Sequence, residues 1–362
     1  MNPGLLRVLA IPIGLFACSL VLRAQEVGNI SQMVDSIVAE QKEKHSIPGL
    51  AIGIVAADSL LLTKGYGIRS VESRLPVTKN SVFHTASITK LFTAEAVMLL
   101  VNEGKIELSD KIVQVAPMLR YDDPSFKSVT IEHLLRHTSG LADVQNYRWG
   151  KVAPGPTALQ DYFEDLELAL VAKPGSKVKY CNRAYDLLGY LLEIVSGQQF
   201  DLYLQSSIFQ PLGMKNSDTR AFMIAESLAT EPHSKKKVGS GMKTLGTYPY
   251  NPQHAPSSTL NSSVYDLAIW MDHFFNNLSD PESYFTGMIA DTEPHPIGFQ
   301  YYTMDDFTGY GHFGGDRGFR SFMLLVPEYK LGIVLLGNSD YSDDYRQEIV
   351  LPIARYLINL KK

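Results

Sequence analysis

The 362-residue sequence has very little cysteine. Its two cysteines are Cys18, in the apolar segment at the N-terminus, and Cys181. If that segment is removed, the mature chain keeps one thiol, which excludes an intrachain disulfide and a cysteine-based metal site. The fold must then be stabilised by its core, and a hydrophobic content of 45% is ample for this. We expect Cys181 to be packed and inert.

Basic runs are also scarce. The formal net charge is -5, and Lys235-Lys236-Lys237 is the only run of basic residues. Such a short run is typical of a solvated loop. Nucleic acid is therefore not an expected partner.

Metal-binding patterns are nearly absent. His133 and His137 have the i, i+4 spacing of a metal-binding helix, but position 134 is Leu where a zinc protease helix has Glu. No third ligand stands out. We expect no metal and no organic cofactor.

Long apolar runs are missing outside the N-terminus. Residues 8–22 are mostly apolar, follow Arg7 and precede the small residue Ala24, but they are short for a membrane span. They predict a secretion signal over residues 1–24 and a secreted or periplasmic protein. Residues 15–18 resemble a lipobox, so a lipid on Cys18 is the alternative, and an uncleaved anchor is a third. Membrane contact is expected only if Cys18 is lipidated.

Apolar patterns predict strands near both ends of the chain and helices between them. The predicted strands are 50–55, 60–65, 298–304, 310–313, 319–326 and 331–336. The predicted helices are 30–45, 90–103, 131–137, 157–170, 184–196, 201–209, 264–276 and 345–360, with Pro352 kinking the last one or marking its start. Residues 231–263 are predicted to form a long loop.

This order predicts an α/β (α+β) fold in which the two termini close one sheet. Residues 25–85 would form its first part and residues 290–362 its second part. Residues 86–289 would form a mainly helical domain inserted between them.

Three short motifs in fixed order carry the chemistry: Ser87-Ile88-Thr89-Lys90, Tyr180-Cys181-Asn182 and His312-Phe313-Gly314. Together they supply a nucleophile, two candidate proton-transfer groups, an amide to orient them and a strand edge for a substrate. These are the parts of an acyl-transfer enzyme with a covalent serine intermediate.

The Ser-x-x-Lys pattern occurs four times, at Ser87, Ser176, Ser234 and Ser240. Only Ser87 follows a strand-like segment and opens a strong predicted helix. The i, i+3 spacing puts Ser87 and Lys90 on one helix face. There the helix N-terminus favours negative charge on the serine, and a partly desolvated Lys90 could lose its proton and activate the hydroxyl.

The sequence around these motifs resembles a known family. Residues 84–90, His84-Thr85-Ala86-Ser87-Ile88-Thr89-Lys90, resemble the nucleophile motif of penicillin-recognising serine hydrolases. Residues 130–141, Pro174-Gly175 and Pro211-Leu212-Gly213-Met214 are similar to the class C β-lactamase branch, which also holds D,D-carboxypeptidases, D-aminopeptidases and esterases. The likeness spans residues 48–338 and implies a β-lactamase/transpeptidase-like fold, an antiparallel sheet flanked by helices with an inserted all-helical domain.

The resemblance implies roles for matching positions. Ser87 would be acylated, Lys90 and Tyr180 would share general-base and general-acid duties, and Asn182 would orient Lys90 and the substrate amide. A tyrosine is a plausible base only if neighbouring cations lower its pKa, and we expect Lys90 to do so.

The third motif departs from the family. His312 stands where many relatives carry Lys, and a neutral imidazole attracts a substrate carboxylate less than an ammonium does. The N–H groups of Ser87 and Gly315 would match the oxyanion hole. We expect glycine at 314 and 315 because the substrate approaches this backbone closely.

The sequence therefore predicts a secreted serine hydrolase acting on a small ester, amide or D-amino-acid peptide, with cell-wall peptides among the candidates. The alternatives are a β-lactamase proper and a non-catalytic penicillin-binding-like envelope protein on a retained scaffold. The loops at 147–157 and 231–263 are expected to decide the substrate.

Overall fold

The structure is a computed structural model that describes residues 13–56, 59–235, 241–290, 295–304, 306–340 and 344–362. Its strands are β1 Gly49–Ala56, β2 Leu60–Gly67, β3 Phe83–His84, β4 Arg120–Tyr121, β5 Glu167–Leu168, β6 His233–Lys235, β7 Met242–Thr244, β8 Asn261–Ser262, β9 Gln300–Thr303, β10 Thr308–Asp316, β11 Phe319–Val326 and β12 Leu331–Gly337. Its α-helices are α1 Ile13–His45, α2 Thr89–Asn102, α3 Ile112–Val115, α4 Ile131–Leu135, α5 Ala158–Asp165, α6 Asn182–Ser196, α7 Phe200–Leu204, α8 Gln210–Leu212, α9 Ala255–Ser258, α10 Val264–Leu278, α11 Tyr284–Ala290 and α12 Tyr345–Asn359.

The central sheet has six strands in the order β2-β1-β12-β11-β10-β9, and each neighbouring pair is antiparallel. Strand β1 pairs with β12 from Leu50↔Gly337 to Ala56↔Leu331, so the two ends of the chain close one sheet as the sequence predicts. The three central strands β1, β12 and β11 are nearly continuous apolar runs because both faces of the sheet are covered there.

Each face of the sheet has its own apolar cluster. On one face, α1 and α12 pack with side chains such as Val34 and Ile353 against Ile52 and Leu324. On the other face, α10 packs against the sheet and joins it to the mainly helical region. The fit at α10 is close, because a Cβ on Gly332 of β12 would lie 2.9 Å from Met271 Sδ. Helix α2, which begins two residues after Ser87, belongs to this second, larger cluster.

Several predicted elements have different bounds in the structure. The helix predicted at 157–170 ends at Asp165, because the next residues pair as β5 with β4 and bury Leu168. The final helix begins at Tyr345 behind the Asp344 cap and continues past Pro352, so this proline does not mark its start. Helix α1 already begins at Ile13 and not at residue 30.

The prediction of a loop at 231–263 is wrong for part of that segment. Its described residues include the hairpin β6–β7, the helix α9 and the strand β8. These elements are held by contacts with residues that are distant in the sequence. Asn251 Nδ2 donates to Tyr147 O at 2.7 Å, and Leu260 N donates to Thr89 Oγ1 at 2.9 Å. These contacts join the segment to distant parts of the chain, and local periodicity does not reveal them.

The predicted secretion signal overlaps the start of α1, and its residues 1–12 lie outside the described residues. Within the described part of the chain, none of the helices combines the length and the apolar character needed to cross a membrane.

Candidate active site

Ser87 lies in a 3-10 turn, Ala86–Ile88, between β3 and α2. Ala86 has a positive φ of 49°, which is uncommon for a residue other than glycine and turns the chain sharply before the serine. Ser87 is half-buried at the start of a helix whose first amides face it. The predicted sequence of strand, serine and helix is confirmed.

Lys90, in the first turn of α2, is fully buried. Its Nζ lies 3.1 Å from Ser87 Oγ, 2.8 Å from Asn182 Oδ1 and 2.7 Å from Ser257 O. The last two atoms can only accept hydrogen bonds. When Lys90 is neutral, its two hydrogens therefore point to these acceptors, and its lone pair is left for the Ser87 hydroxyl.

Burial lowers the pKa of Lys90 to about 8, against the raising effect of the nearby carboxylates of Asp186, Asp316 and Asp143. Burial dominates because a charged ammonium loses its hydration inside the protein. An appreciable fraction of Lys90 is thus neutral near pH 8 and able to accept a proton.

Tyr180 donates its hydroxyl to Ser87 Oγ at 2.9 Å. Its ring packs 4.5 Å from the His137 ring and 5.0 Å from Lys90 Nζ, while 37% of the residue remains exposed. Although the residue is partly exposed, desolvation of its phenolate form raises the pKa of Tyr180 well above its usual value. The expectation that Lys90 would lower this pKa is therefore wrong, because desolvation is the dominant effect on the phenol.

Asn182 is held by a carboxylate that the sequence analysis did not single out. Asp143 Oδ1 accepts from the backbone N–H groups of Asn182 at 2.7 Å and Arg183 at 3.1 Å, and Oδ2 accepts from Asn182 Nδ2 at 3.1 Å. Asp143 thus caps α6 and fixes the side-chain oxygen of Asn182 toward Lys90. The only feature of the sequence that could have indicated Asp143 is its position two residues after Leu141, where the segment that resembles the family ends.

His312 lies on β10 and is almost fully buried. Its Nδ1 is 2.5 Å from the carbonyl oxygen of Phe313, which can only accept, so Nδ1 carries the hydrogen. Burial and the charge of Lys90 lower the pKa of His312 to about 3. The imidazole is therefore neutral and stands with its ring 5.8 Å from that of Tyr180.

The two glycines after His312 differ in their surroundings. A Cβ on Gly314 would lie 2.1 Å from Ser321 Oγ, 2.2 Å from Thr85 O and 3.2 Å from Ser87 N. Glycine is required there by the packing of the Ser87 turn on β10. Close approach of a substrate to this backbone stays a prediction. A Cβ on Gly315 would meet Arg320 at an ordinary 3.4 Å.

Both loops expected to decide the substrate supply aromatic rings beside the end of β10. Tyr147 stacks on Trp149 at 4.6 Å and meets the His254 ring at 4.9 Å. Trp149 and Tyr248 also lie 6.4 Å and 6.0 Å from the ring of His84. His84 in turn pairs with Asp316, the last residue of β10, at 2.9 Å.

The remaining histidine and cysteine positions have structural surroundings. His133 forms a capping box with Thr130, and His137 accepts a hydrogen bond from Cys181 N at 3.1 Å. Cys181 is buried, and burial raises its pKa to about 12. No cluster of three or more His, Cys, Asp or Glu suited to a metal ion occurs in the described ranges.

Comparisons with known proteins agree with this fold. Protein flp of Staphylococcus aureus (strain MW2) is 26% identical over 354 residues, covering 91% of this chain and 67% of that protein. The octameric penicillin-binding protein homologue from Pyrococcus abyssi superposes with a TM-score of 0.76 at 25% identity, covering 92% of this chain and 78% of that one. The D-amino acid amidase from Ochrobactrum anthropi SV3, solved with L-phenylalanine amide, gives a TM-score of 0.79 at 20% identity over 92% of this chain and 100% of that one, which supports the fold alone.

The family model described as Beta-lactamase matches residues 34–355. With the antiparallel sheet and its helices, this match establishes the β-lactamase/transpeptidase-like fold. The chain belongs to the beta-lactamase family of serine hydrolases.

Proposed function

We propose that this chain is a serine hydrolase that transfers acyl groups through an ester on Ser87. The observation that carries the proposal is the convergence of Lys90 Nζ, at 3.1 Å, and the Tyr180 hydroxyl, at 2.9 Å, on Ser87 Oγ. A nucleophile within hydrogen-bond reach of a base that a third group orients is the arrangement required for covalent catalysis.

In the first step, neutral Lys90 takes the Ser87 proton as Oγ attacks the substrate carbonyl carbon. The N–H groups of Ser87 and Gly315 stabilise the negative oxygen, and such donors contribute roughly 3 kcal/mol each. The leaving group departs with a proton from the Lys90–Tyr180 pair. Water then attacks the ester with the same pair as base and acid, and Ser87 is regenerated.

The substrate we propose is a small ester, an amide or a D-amino-acid peptide. Support comes from neutral His312, which stands where relatives with a lysine offer a cation to a carboxylate. The aromatic rings of Tyr147, Trp149 and Tyr248 lie beside the end of β10 near Asp316. They provide apolar surface for a substituent of the substrate there.

The test is covalent labelling. The protein is treated with penicillin and with a serine-directed phosphonate, and the modified peptide is mapped by mass spectrometry. We expect the adduct on Ser87, its loss in Ser87→Ala, and its retention in Ser176→Ala, which removes another serine of a Ser-x-x-Lys pattern. Failure of several acylating probes to label Ser87 would refute the proposal.

Turnover distinguishes the alternatives. Nitrocefin, p-nitrophenyl acetate and butyrate, and D-Ala-D-Ala peptides are assayed in parallel with the rate at which the acyl-enzyme is released. Fast release of ester or peptide products supports the hydrolase, whereas efficient nitrocefin hydrolysis indicates a β-lactamase proper. A stable acyl-enzyme with every substrate indicates a binding or sensing protein.

We also propose that residues 1–24 direct export and are removed. N-terminal sequencing of the protein recovered from an expressing bacterium tests this. A chain beginning at Gln25 supports signal cleavage, and one beginning at a lipid-modified Cys18 supports the lipoprotein alternative.

A further inference from the structure

The edge of β10 beside Ser87 is only partly paired. Strand β10 pairs with β9 from Thr308 to Gly311, where Gly311 faces Gln300, but it pairs with β11 as far as Asp316. Among the described residues, 312–316 therefore have a paired strand on one side only. A substrate bound to Ser87 meets this open edge.

Along a strand, the N–H and C=O groups of successive residues point alternately to its two sides. Phe313 N–H donates to Gln300 Oε1 at 3.1 Å, so the peptide groups of Phe313 face the β9 side. Gly315 faces the same way, because it is two residues further on. The carbonyl of Gly314 faces the opposite side and accepts from Arg346 at 2.6 Å.

Both groups of Phe313 are already bonded. Gln300 Oε1 accepts its N–H and is itself held by the Tyr302 hydroxyl at 2.6 Å, and His312 Nδ1 donates to its C=O at 2.5 Å. The side chain of Gln300 thus prolongs β9 by one hydrogen bond beyond its last main-chain pair. The next N–H and C=O groups that face this side of β10 belong to Gly315.

The leaving group must lie on the Phe313 side of Gly315. Tyr180 is the hydroxyl donor bonded to Ser87, and its ring is 5.8 Å from His312, the neighbour of Phe313. A group that takes its proton from the Lys90–Tyr180 pair is therefore directed to this end of the open edge.

The charged groups at the Phe313 end of the open edge do not favour binding of a carboxylate. His312 is neutral, and Lys90 Nζ is bonded to three protein oxygens. Asp143 is close enough to influence the charge of Lys90. Arg346, whose guanidinium carbon lies 4.7 Å from the centre of the Phe313 ring, is held by Asp344 and by the Gly314 carbonyl. A carboxylate on the leaving group would be desolvated here without a matching donor.

We propose that Gln300 is a specificity-determining residue, which caps the Phe313 amide and so selects esters and amides whose leaving group carries no carboxylate. This inference rests on the proposed function of Ser87. Removal of the cap frees one N–H that can donate to a carboxylate oxygen.

The experiment compares two esters of one N-acylglycine, with phenol and with 3-hydroxybenzoic acid as leaving groups. These esters differ by one carboxylate, and their kcat/KM ratio cancels effects common to both. Wild type is expected to prefer the phenyl ester. Gln300→Ala is expected to shift the ratio about tenfold toward the carboxyphenyl ester, as one new hydrogen bond to a charged acceptor implies.

Two variants separate capping from general disturbance. Gln300→Glu keeps an acceptor for Phe313 N–H, so its ratio should be no more favourable to the carboxylate than that of wild type. Tyr302→Phe removes the hydroxyl that holds Gln300 Oε1 and keeps the ring, so it should shift the ratio in the same direction as Gln300→Ala but by a smaller factor.

An unchanged ratio in Gln300→Ala, with Ser87 labelled and both esters hydrolysed, would overturn this inference and leave the proposed function standing. A shift of equal size in Gln300→Glu would also overturn it. Absence of both turnover and Ser87 labelling would refute the proposed function, and this inference with it.

Discussion

The orientation of Asn182 by Asp143 can be tested by Asp143→Asn. The asparagine keeps an oxygen for the backbone N–H groups of Asn182 and Arg183, now bonded at 2.7 and 3.1 Å. Its NH2 group, however, would face the NH2 of Asn182 where Oδ2 now accepts at 3.1 Å. Relief of this clash turns the Asn182 amide and presents its NH2 group to Lys90.

The cost is one hydrogen bond between Lys90 and an oxygen, now 2.8 Å long. Hydrogen bonds to charged groups are worth about 1.5–3 kcal/mol. At roughly 1.36 kcal/mol for each factor of ten, acylation should slow by between about 10-fold and 150-fold. The melting temperature should change little, because the cap on α6 is kept.

The pH profile gives a second readout. Burial lowers the pKa of Lys90 to about 8, so acylation by a neutral ester should rise with pH through this value as Lys90 loses its proton. Asp143 is one of the carboxylates that raise this pKa, and its neutralisation should move the rise to lower pH.

The assay is the rate of acylation by p-nitrophenyl acetate between pH 6 and 10. Asp123→Asn is the matched control, since Asp123 caps an exposed turn through Ser125 N at 2.8 Å. The control should reproduce the wild-type profile. Two results with Asp143→Asn would refute the proposed role of Asp143. One is an acylation rate that rises at the same pH as in wild type or at a higher pH, and the other is an unchanged maximal acylation rate.

Three further changes test other parts of the site and core. His312→Lys should increase acylation by benzylpenicillin about tenfold, because an ammonium replaces a neutral ring, and stopped-flow measurement of an equal or lower rate would contradict this. Burial raises the pKa of Glu95 from 4.5 to about 7, so the folded state binds this proton more tightly than the unfolded chain. The free energy of unfolding should then fall by about 3 kcal/mol as pH rises from 4.5 to 7, and urea titrations of Glu95→Gln should lack this part of the fall. Gly314→Ala should lower both the melting temperature and Ser87 labelling, since its Cβ would lie 2.2 Å from Thr85 O, whereas Gly315→Ala should be tolerated; equal stability of the two variants would argue against the packing explanation.

The parts of the site that follow from local sequence could be predicted. Ser87 and Lys90 are one helical turn apart, so their approach requires only that α2 begins where its sequence indicates. Tyr180 and Asn182 likewise flank the start of α6. The sheet could be predicted because its strands are long apolar runs separated by turns.

The parts supplied by distant segments could not be predicted. Ser257 contributes a backbone carbonyl to Lys90, and every residue type has such a carbonyl, so no sequence pattern marks it. Gln300 acts through the end of β9, a strand of four residues whose register the sequence does not define. Asp143 is visible as a carboxylate, but its meeting with α6 depends on the folded chain.

Desolvation acts in opposite directions on the two groups that contact Ser87. Lys90 and Tyr180 have similar ordinary pKa values of 10.5 and 10.0. Burial disfavours the charged form of each, so it lowers the pKa of the amine to about 8 and raises that of the phenol well above 10. When the pKa values of two neighbouring groups are driven apart, the group with the lower pKa is suited to act as the base and the group with the higher pKa as the acid. We therefore propose that Lys90 is the base that takes the serine proton and that Tyr180 stays protonated as a hydrogen-bond donor and proton source.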